Sequence, residues 1–393
     1  VAYLSSDIVK ILRAQVRRNC QHPFYLKKLK KVGLKPDDIK TLEDFATIPF
    51  MTRTEFYEAL LRDYSSFMQD SVVRINLSPS PLGLIPILNT KKDIEVMNKA
   101  NARAFERAGV TKDDVVMITF GYHVFIAGMM FHGAFEEIGA KVIPLGPGST
   151  SQAIEVAEKL KPTVLVANPS FALKLAKEGL EGIRILIAAG EPFSSVRGYK
   201  ERVRDAYGDV TLIDYYGMAE CTPIACECRH ETGLHVSTDF CYVEVIDPET
   251  GERVGDGERG EIVVTHLNKE VMPLQRYRTG DLGVVDSIEC PCGMGLTMPT
   301  GIFGRTDEMY KVKGVKIYPS QIPFVLKSFP ELTGRFRMEI EKTEKGTDVL
   351  RVIVEGRGDA EVIKSRLREA LLVTPEVKVV ERLDGEGVED RRY

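Results

Sequence analysis

Three short stretches of this 393-residue chain hold side chains whose types and spacing could do chemistry. In ECPCGMG, Cys290 and Cys292 stand one residue apart. That is too little chain for the geometry of a disulfide between them. Two thiolates on a tight Pro/Gly turn can instead converge on one soft metal ion, with the remaining ligands supplied from elsewhere. In YYGMAE, residues 215–220, two aromatic rings, a glycine and a carboxylate fall within one loop. Such a loop can stack a planar base and hold a magnesium ion against a phosphate. The plainer alternative is a turn with a solvated Glu220. In YRTGDL, Asp281 follows a strand-like run and could accept hydrogen bonds from both hydroxyls of a ribose. Downstream, GRTDEMYKVKGVKIYP places Arg305, Asp307, Lys311, Lys313 and Lys316 around two glycines, a pattern suited to a hinge beside an anionic ligand.

These stretches need elements to position them. Residues 1–70 read as charged helices. From about residue 114 short apolar runs appear: DVVMITF, KVIPLG, TVLVANP, RILIAAG and VTLIDYYG. Between them lie segments of helical period, such as IAGMMFHGAFEEIG and SQAIEVAEKLK. This alternation predicts a parallel sheet with helices on its faces. Ligands of such sheets sit at the carboxyl ends of the strands, so the loops after RILIAAG and VTLIDYYG are the first candidates. Beyond residue 235, CYVEVIDPETGERVGDGERGEIVVTHL reads as two alternating, antiparallel strands. The last segment alternates strand and helix patterns and reads as a small α+β domain, with the boundary placed near Gly304.

Composition narrows the functional classes. Hydrophobic residues at 44% and charged residues at 28% describe a globular chain, too long for one ordinary core. A net charge of −4 argues against nucleic acid or an anionic membrane as the main partner. No apolar run reaches the length of a membrane span, and the first residues lack a signal-peptide core. Seven cysteines without an even framework suggest a reducing compartment.

Taken together, the order and wording of these stretches resemble the adenylate-forming enzymes, in particular the phenylacetate–coenzyme A ligase family with its coenzyme F390 synthetase relatives. The likeness runs from RAQVRRNCQHPFYLKKLKKVGLKPDDIKTLEDFATIPFMTRTEF through FGYHVFIAG, AAGEPFS, DYYGMAE, GERGEIVVT, KEVMPLQRYRTGDL and CPCG to GRTDEMYKVKGVKIYPSQI. It implies an α/β fold. A large domain over residues 1–303 would hold mixed and parallel sheets, a small β-barrel part and an N-terminal helical segment over 1–70. A small α+β domain would cover 304–393. It implies an AMP-forming ligase that activates an aryl or short acyl acid as its adenylate and passes it to CoA or an amine.

By the same resemblance Gly190, Glu191 and Pro192 would border the adenine, within a nucleotide site that includes Tyr215, Tyr216, Gly217 and Met218. Tyr216 would stack on the base. Glu220 would hold Mg²⁺, Asp281 would bind the ribose and Arg305 would contact the nucleotide. Asp307 would lie at the hinge, and Lys313 with Gly314 would face the CoA tunnel. Tyr122, Phe125 and Gly128 would wall the acyl pocket. Cys226, Cys228, His230 and His235, together with Cys290 and Cys292, give six candidates for a four-coordinate zinc. The wording resembles the family's zinc-binding members and favours Cys228, His235, Cys290 and Cys292 as a closed, structural site. The expected setting is a prokaryotic cytosol, with the N-terminal helices as a candidate homodimer surface.

Two stretches depart from the family's pattern. The Ser/Thr/Gly-rich triphosphate loop is replaced by RINLSPSPLGLIPIL, which keeps only Ser78, Ser80 and Gly83 of that character. Pro79 and Pro81 remove two N–H donors that a phosphate cradle would use. Near the end, Val388, Glu389 and Asp390 stand where a transition-state lysine is expected, and Arg391 and Arg392 are out of register with it. Both changes bear on adenylation. They open an alternative: a ligase-like protein that binds a nucleotide or acyl-adenylate, or runs only the second half-reaction.

Overall fold

The computed structural model describes residues 5–195, 198–302, 304–306, 310–317, 319, 321–326, 329, 331–344 and 346–392. The chain divides into two compact units, Val1–Ser78 with Ile85–Thr306, and Pro79–Leu84 with Asp307–Tyr393.

The large unit opens with five helices: α1 (Ser5–Asn19), α2 (Pro23–Lys31), α3 (Leu42–Ala46), α4 (Arg53–Arg62) and α5 (Tyr64–Phe67). The starts of α2, α3 and α4 are set by side chains that satisfy free backbone N–H groups, with His22 accepting from Phe24, Thr41 from Asp44 and Thr52 from Glu55. Strands β1 (Val72–Ser80) and β2 (Gly83–Thr90) form a two-stranded hairpin. Helix α6 (Lys91–Arg107) follows directly, closed by a capping box between Thr90 and Asp93.

The alternating region folds as its pattern predicts. It comprises β3 (Val115–Ile118), α7 (Ala127–Ile138), β4 (Lys141–Ile143), α8 (Thr150–Leu160), β5 (Val164–Ala167), α9 (Pro169–Lys177), β6 (Ile185–Ala189), α10 (Tyr199–Tyr207) and β7 (Thr211–Met218). The parallel order is β4-β3-β5-β6-β7. Strands β5 and β6 are buried at every position, the burial expected of a sheet covered on both faces. The same sheet continues antiparallel through β8 (Cys221–Glu227), β9 (Leu234–Val236) and then, later in the chain, β14 (Leu296–Met298) and β13 (Asp286–Ser287).

Strands β10 (Cys241–Ile246), β11 (Arg259–His266), β12 (Tyr277–Val284) and, beyond β13 (Asp286–Ser287) and β14 (Leu296–Met298), β15 (Gly304–Arg305) make a four-stranded antiparallel sheet. This is the part expected as a β-barrel. The alternation read in β10 and β11 does not produce one wet face, because β10 is buried at every position and β11 at all but its first. Their buried acids are paired instead. Glu244 accepts from Arg276 at 3.1 Å through each of two oxygens, and Glu261 accepts from Arg278 Nε at 2.8 Å.

The small unit has its own core of Val312, Ile317, Ile322, Met338, Ile340, Val352, Ile363 and Leu367, among others. A hairpin of β16 (Tyr310–Val312) and β17 (Val315–Ile317) precedes α11 (Gln321–Leu326). Strands β18 (Leu332–Lys342) and β19 (Asp348–Gly356) pair antiparallel. After α12 (Ala360–Leu371), β20 (Glu376–Val380) pairs with β19 and β21 (Gly387–Asp390) with β18, both parallel. Val388, Glu389 and Asp390 are thus sheet residues. Arg391 bonds Glu341 at 3.0 Å, and Arg392 bonds Asp390 at 2.7 Å and lies 3.4 Å from Asp348. Both terminal arginines are engaged within the unit. Among the described residues no helix is long and apolar enough to cross a membrane.

Candidate functional site

Residues 215–220 were expected to form a loop. In the structure β7 continues through Met218, and only Ala219 and Glu220 make the turn into β8. The strand extends because β8 pairs along it, Tyr215 opposite Cys226 and Tyr216 opposite Ala225, with an irregularity before Met218 opposite Cys221. Successive strand residues point to opposite faces, so the two tyrosines part company. Tyr215 enters the core, where its hydroxyl meets Asn101 Oδ1 and Thr222 Oγ1 at 2.5 Å each and its ring packs on Phe105 and Phe131. Tyr216 is half-buried and donates its hydroxyl to Asp281 Oδ2 at 2.7 Å.

That bond joins residues 65 apart and on different sheets. Asp281 is buried on β12, and its backbone position is opposite Arg305 on β15. Thr306 continues the pairing, its N–H reaching the Gly280 carbonyl at 2.6 Å. Arg53, which the sequence did not single out, braces the same strand by donating to the Thr279 carbonyl at 3.3 Å. Glu220 is buried at the β7–β8 turn, and its carboxylate has no hydrogen-bond or ion-pair partner among the described residues. Gly217 stands across from Thr222, whose Oγ1 would lie 2.7 Å from an added Cβ, so a side chain there would push the turn apart.

At the carboxyl end of β6, Gly190 turns the chain with a φ of +79°, a conformation that favours glycine. Glu191 then accepts from the Ser170 N–H at 3.1 Å and its hydroxyl at 2.7 Å, at the start of α9. Pro192 is exposed beside it. Gly128 lies in the first turn of α7, where an added Cβ would sit 2.4 Å from the Gly121 carbonyl oxygen. The helix can therefore approach residues 120–121 only because residue 128 has no side chain. Tyr122 is half-buried, with its hydroxyl 3.3 Å from His132 Nδ1, and Phe125 packs edge-on against His123. In the small unit, Lys313 and Gly314 form the exposed turn of the β16–β17 hairpin, both at positive φ as two-residue hairpin turns demand. Asp307 lies outside the described residues.

Of the six metal-ligand candidates, four converge. One ligand atom each from Cys228, His235, Cys290 and Cys292 lies within 4.8 Å of all the others. His235 Nε2 is 3.3 Å from both Cys228 Sγ and Cys292 Sγ, and Cys228 Sγ is 3.6 Å from Cys290 Sγ. Thiolates bound to one zinc at ~2.3 Å stand roughly 3.7 Å apart, so the spacing fits a tetrahedral Cys₃His set. His235 Nδ1 contacts Thr297 Oγ1 at 3.2 Å, which orients Nε2 inward. Thr232 Oγ1 donates to Cys290 Sγ at 3.2 Å. Sequence reasoning missed both threonines, since a threonine outside a motif carries no signal. Burial pushes the Cys228 thiol up to about 12 and the His235 imidazole down to about 4. A neutral imidazole is the ligating form, and a bound cation would offset the cost of a buried thiolate. Cys226 is buried one position along β8 from Glu227, and its Sγ donates to the Glu227 carbonyl oxygen at 3.4 Å.

The family profile described as AMP-binding enzyme matches residues 94–272, and that of the AMP-binding enzyme C-terminal domain matches 314–389. The phenylacetate-coenzyme A ligase of Thermus thermophilus is 31% identical over 337 residues, covering 81% of this chain and 74% of the relative. That of Aromatoleum evansii is 30% identical, with 86% and 78% covered. A solved structure of 2-hydroxyisobutyryl-CoA ligase in complex with 2-HIB-AMP and CoA is 28% identical and covers 99% of this chain and 90% of its own, with a TM-score of 0.91.

Proposed function

This chain belongs to the AMP-binding enzymes, among the relatives of the phenylacetate–coenzyme A ligases, and from that premise we propose that it is an AMP-forming acid–thiol ligase acting on an aryl or short acyl acid with CoA as acceptor. In the first half-reaction the acid's carboxylate attacks the α-phosphorus of ATP, and pyrophosphate leaves with the electron pair of the broken P–O bond. In the second, the CoA thiol, losing its proton, displaces AMP from the acyl carbon.

The observation that carries this reading is the hydrogen bond from Tyr216 to Asp281. It brings a half-buried aromatic ring and a buried carboxylate, from distant parts of the chain, to one place. The ring offers an adenine a stacking face, and a carboxylate is the acceptor type that ribose hydroxyls need. Glu220 is the residue for Mg²⁺, being a carboxylate without a protein partner among the described residues, at the same hairpin end. Gly190, Glu191 and Pro192 border the adenine, Arg305 contacts the nucleotide, and Asp307 acts at the hinge of a small domain starting near Gly304. Tyr122, Phe125 and Gly128 belong to the acid's pocket, and Lys313 with Gly314 to the path of CoA. The Cys₃His cluster would hold Zn²⁺ with no open position, as a staple and not a catalyst.

ATP–pyrophosphate exchange over a panel of aryl and short acyl acids tests the proposal. Exchange with at least one acid is expected, with AMP affinity falling 10- to 100-fold in Asp281→Ala. Tight AMP binding with no exchange for any acid would leave the chain a binder or a second-half-reaction enzyme.

A further inference from the structure

Strand β1 occupies the position where the resemblance puts a triphosphate loop, yet it forms a hairpin closed by a two-residue turn at Pro81 and Leu82. The Ser80 hydroxyl is spent on that turn, accepting from the Leu82 N–H at 3.1 Å and donating to the Gly83 carbonyl at 3.0 Å. The donors a phosphate would need are not in this turn. They stand on the strand that leads to it.

Along β1 the burial alternates. Val73 and Ile75 are exposed on one face, while Arg74 is half-buried and Asn76 and Ser78 are buried on the other. Arg74 Nη1 is buried and has no hydrogen-bond partner, and the guanidinium has no carboxylate within ion-pair distance among the described residues. Asn76 is 2% exposed; its Oδ1 has no partner and its Nδ2 has only a long 3.4 Å contact with the Val124 carbonyl. Turning that amide over would set Oδ1 against the Val124 carbonyl and leave both polar atoms unspent. Ser78 makes no hydrogen bond through its hydroxyl among the described residues. A half-buried guanidinium with one buried, unpaired nitrogen beside unspent polar groups is a costly arrangement unless a ligand completes it.

We propose that Arg74, Asn76 and Ser78 form an oxyanion site that grips the terminal phosphates of ATP, and the pyrophosphate they become, in place of the lost loop donors. The proposal rests on the ligase reading and deepens it. Two features favour a polyphosphate over a single carboxylate. The three side chains repeat every second residue, so the row spans ~13 Å, an extended footprint. The strand is also tied to the acyl-pocket segment, because the Leu77 N–H bonds the Val124 carbonyl at 2.8 Å. A pyrophosphate held there borders the acid it must leave behind. The guanidinium can bind it through two parallel hydrogen bonds, which a lysine cannot.

The test is calorimetry of the full-length protein with magnesium pyrophosphate, MgATP and AMP, comparing wild type with Arg74→Ala, Arg74→Lys and Asn76→Ala. Pyrophosphate and ATP affinities should fall at least tenfold in Arg74→Ala and by less in Arg74→Lys, while AMP affinity stays within twofold. Thermal melts check folding, and Arg74→Lys keeps the charge should the alanine variant be unstable. Wild type that fails to bind pyrophosphate, or Arg74 variants that bind it unchanged, would overturn the proposal whether or not AMP binds. Failure of AMP to bind wild type is the separate signature of a failed ligase reading, since the pyrophosphate titration does not depend on the nucleotide.

Discussion

At the scale of single residues, the contact between Tyr216 and Asp281 divides their roles. The Asp281 carboxylate is the group that would meet ribose, whereas the Tyr216 hydroxyl holds that carboxylate in place. A hydrogen bond from ribose to that charged group contributes ~1.5–3 kcal/mol, and each ~1.4 kcal/mol is tenfold in affinity, so Asp281→Ala should cost at least tenfold. Tyr216→Phe keeps the stacking face and loses only the orientation, so we expect AMP affinity to drop less than tenfold. Tyr216→Ala loses both and should match Asp281→Ala. Calorimetric titration of AMP into the three variants checks the ranking, and Tyr216→Phe as damaging as Asp281→Ala would refute the division. Residue types were legible in the sequence here, but not their facing. Two adjacent tyrosines in YYGMAE look alike, and only the tertiary cover decides that Tyr215 packs against Phe105 and Phe131 while Tyr216 reaches another sheet.

At the scale of elements, legibility followed how much of an element's stability is local. The parallel strands were readable because runs such as ILIAA are apolar throughout, as burial on both faces requires. Strand β8, CTPIACE, was not: its Pro223, polar ends and two cysteines give no strand period, and it is held by pairing with β7 and β9. The metal cluster explains part of that pairing. Cys228 follows β8, His235 lies on β9, and Cys290 and Cys292 precede β14, which pairs with β9. One ion would therefore fasten three short strands. Glu227 ties this end to β7, accepting from the Asp214 N–H at 2.7 Å and from Lys200 at 2.5 Å. We expect one zinc per purified chain by elemental analysis. Cys292→Ser should lower that content and the melting temperature by at least ~5 °C, because metal binding to such a site is coupled to folding. Metal-free protein that melts with the wild type would remove the staple.

At the scale of the whole molecule, the proposed chemistry is apportioned between the two units. Tyr216, Glu220, Asp281, the backbone of Arg305, the oxyanion row on β1 and the Cys₃His cluster all belong to the large unit. Lys313 and Gly314 belong to the small one, which has a core made of its own residues. Among the described residues, the apolar clusters of the large unit likewise draw on its own residues. A fragment ending at Thr306 should then fold, retain zinc, and bind AMP within about tenfold of the full chain, an affinity cost below ~1.4 kcal/mol. It should fail to form a CoA thioester from a supplied acyl-adenylate, because the residues assigned to the CoA path are gone. Zinc content, AMP calorimetry and a thioester assay on one preparation separate the outcomes. A folded, zinc-bearing fragment that no longer binds AMP would move part of the nucleotide site to residues after Thr306. A fragment that still makes thioester at the full rate would show that the second half-reaction needs nothing from the small unit, and Lys313 and Gly314 would lose their assignment.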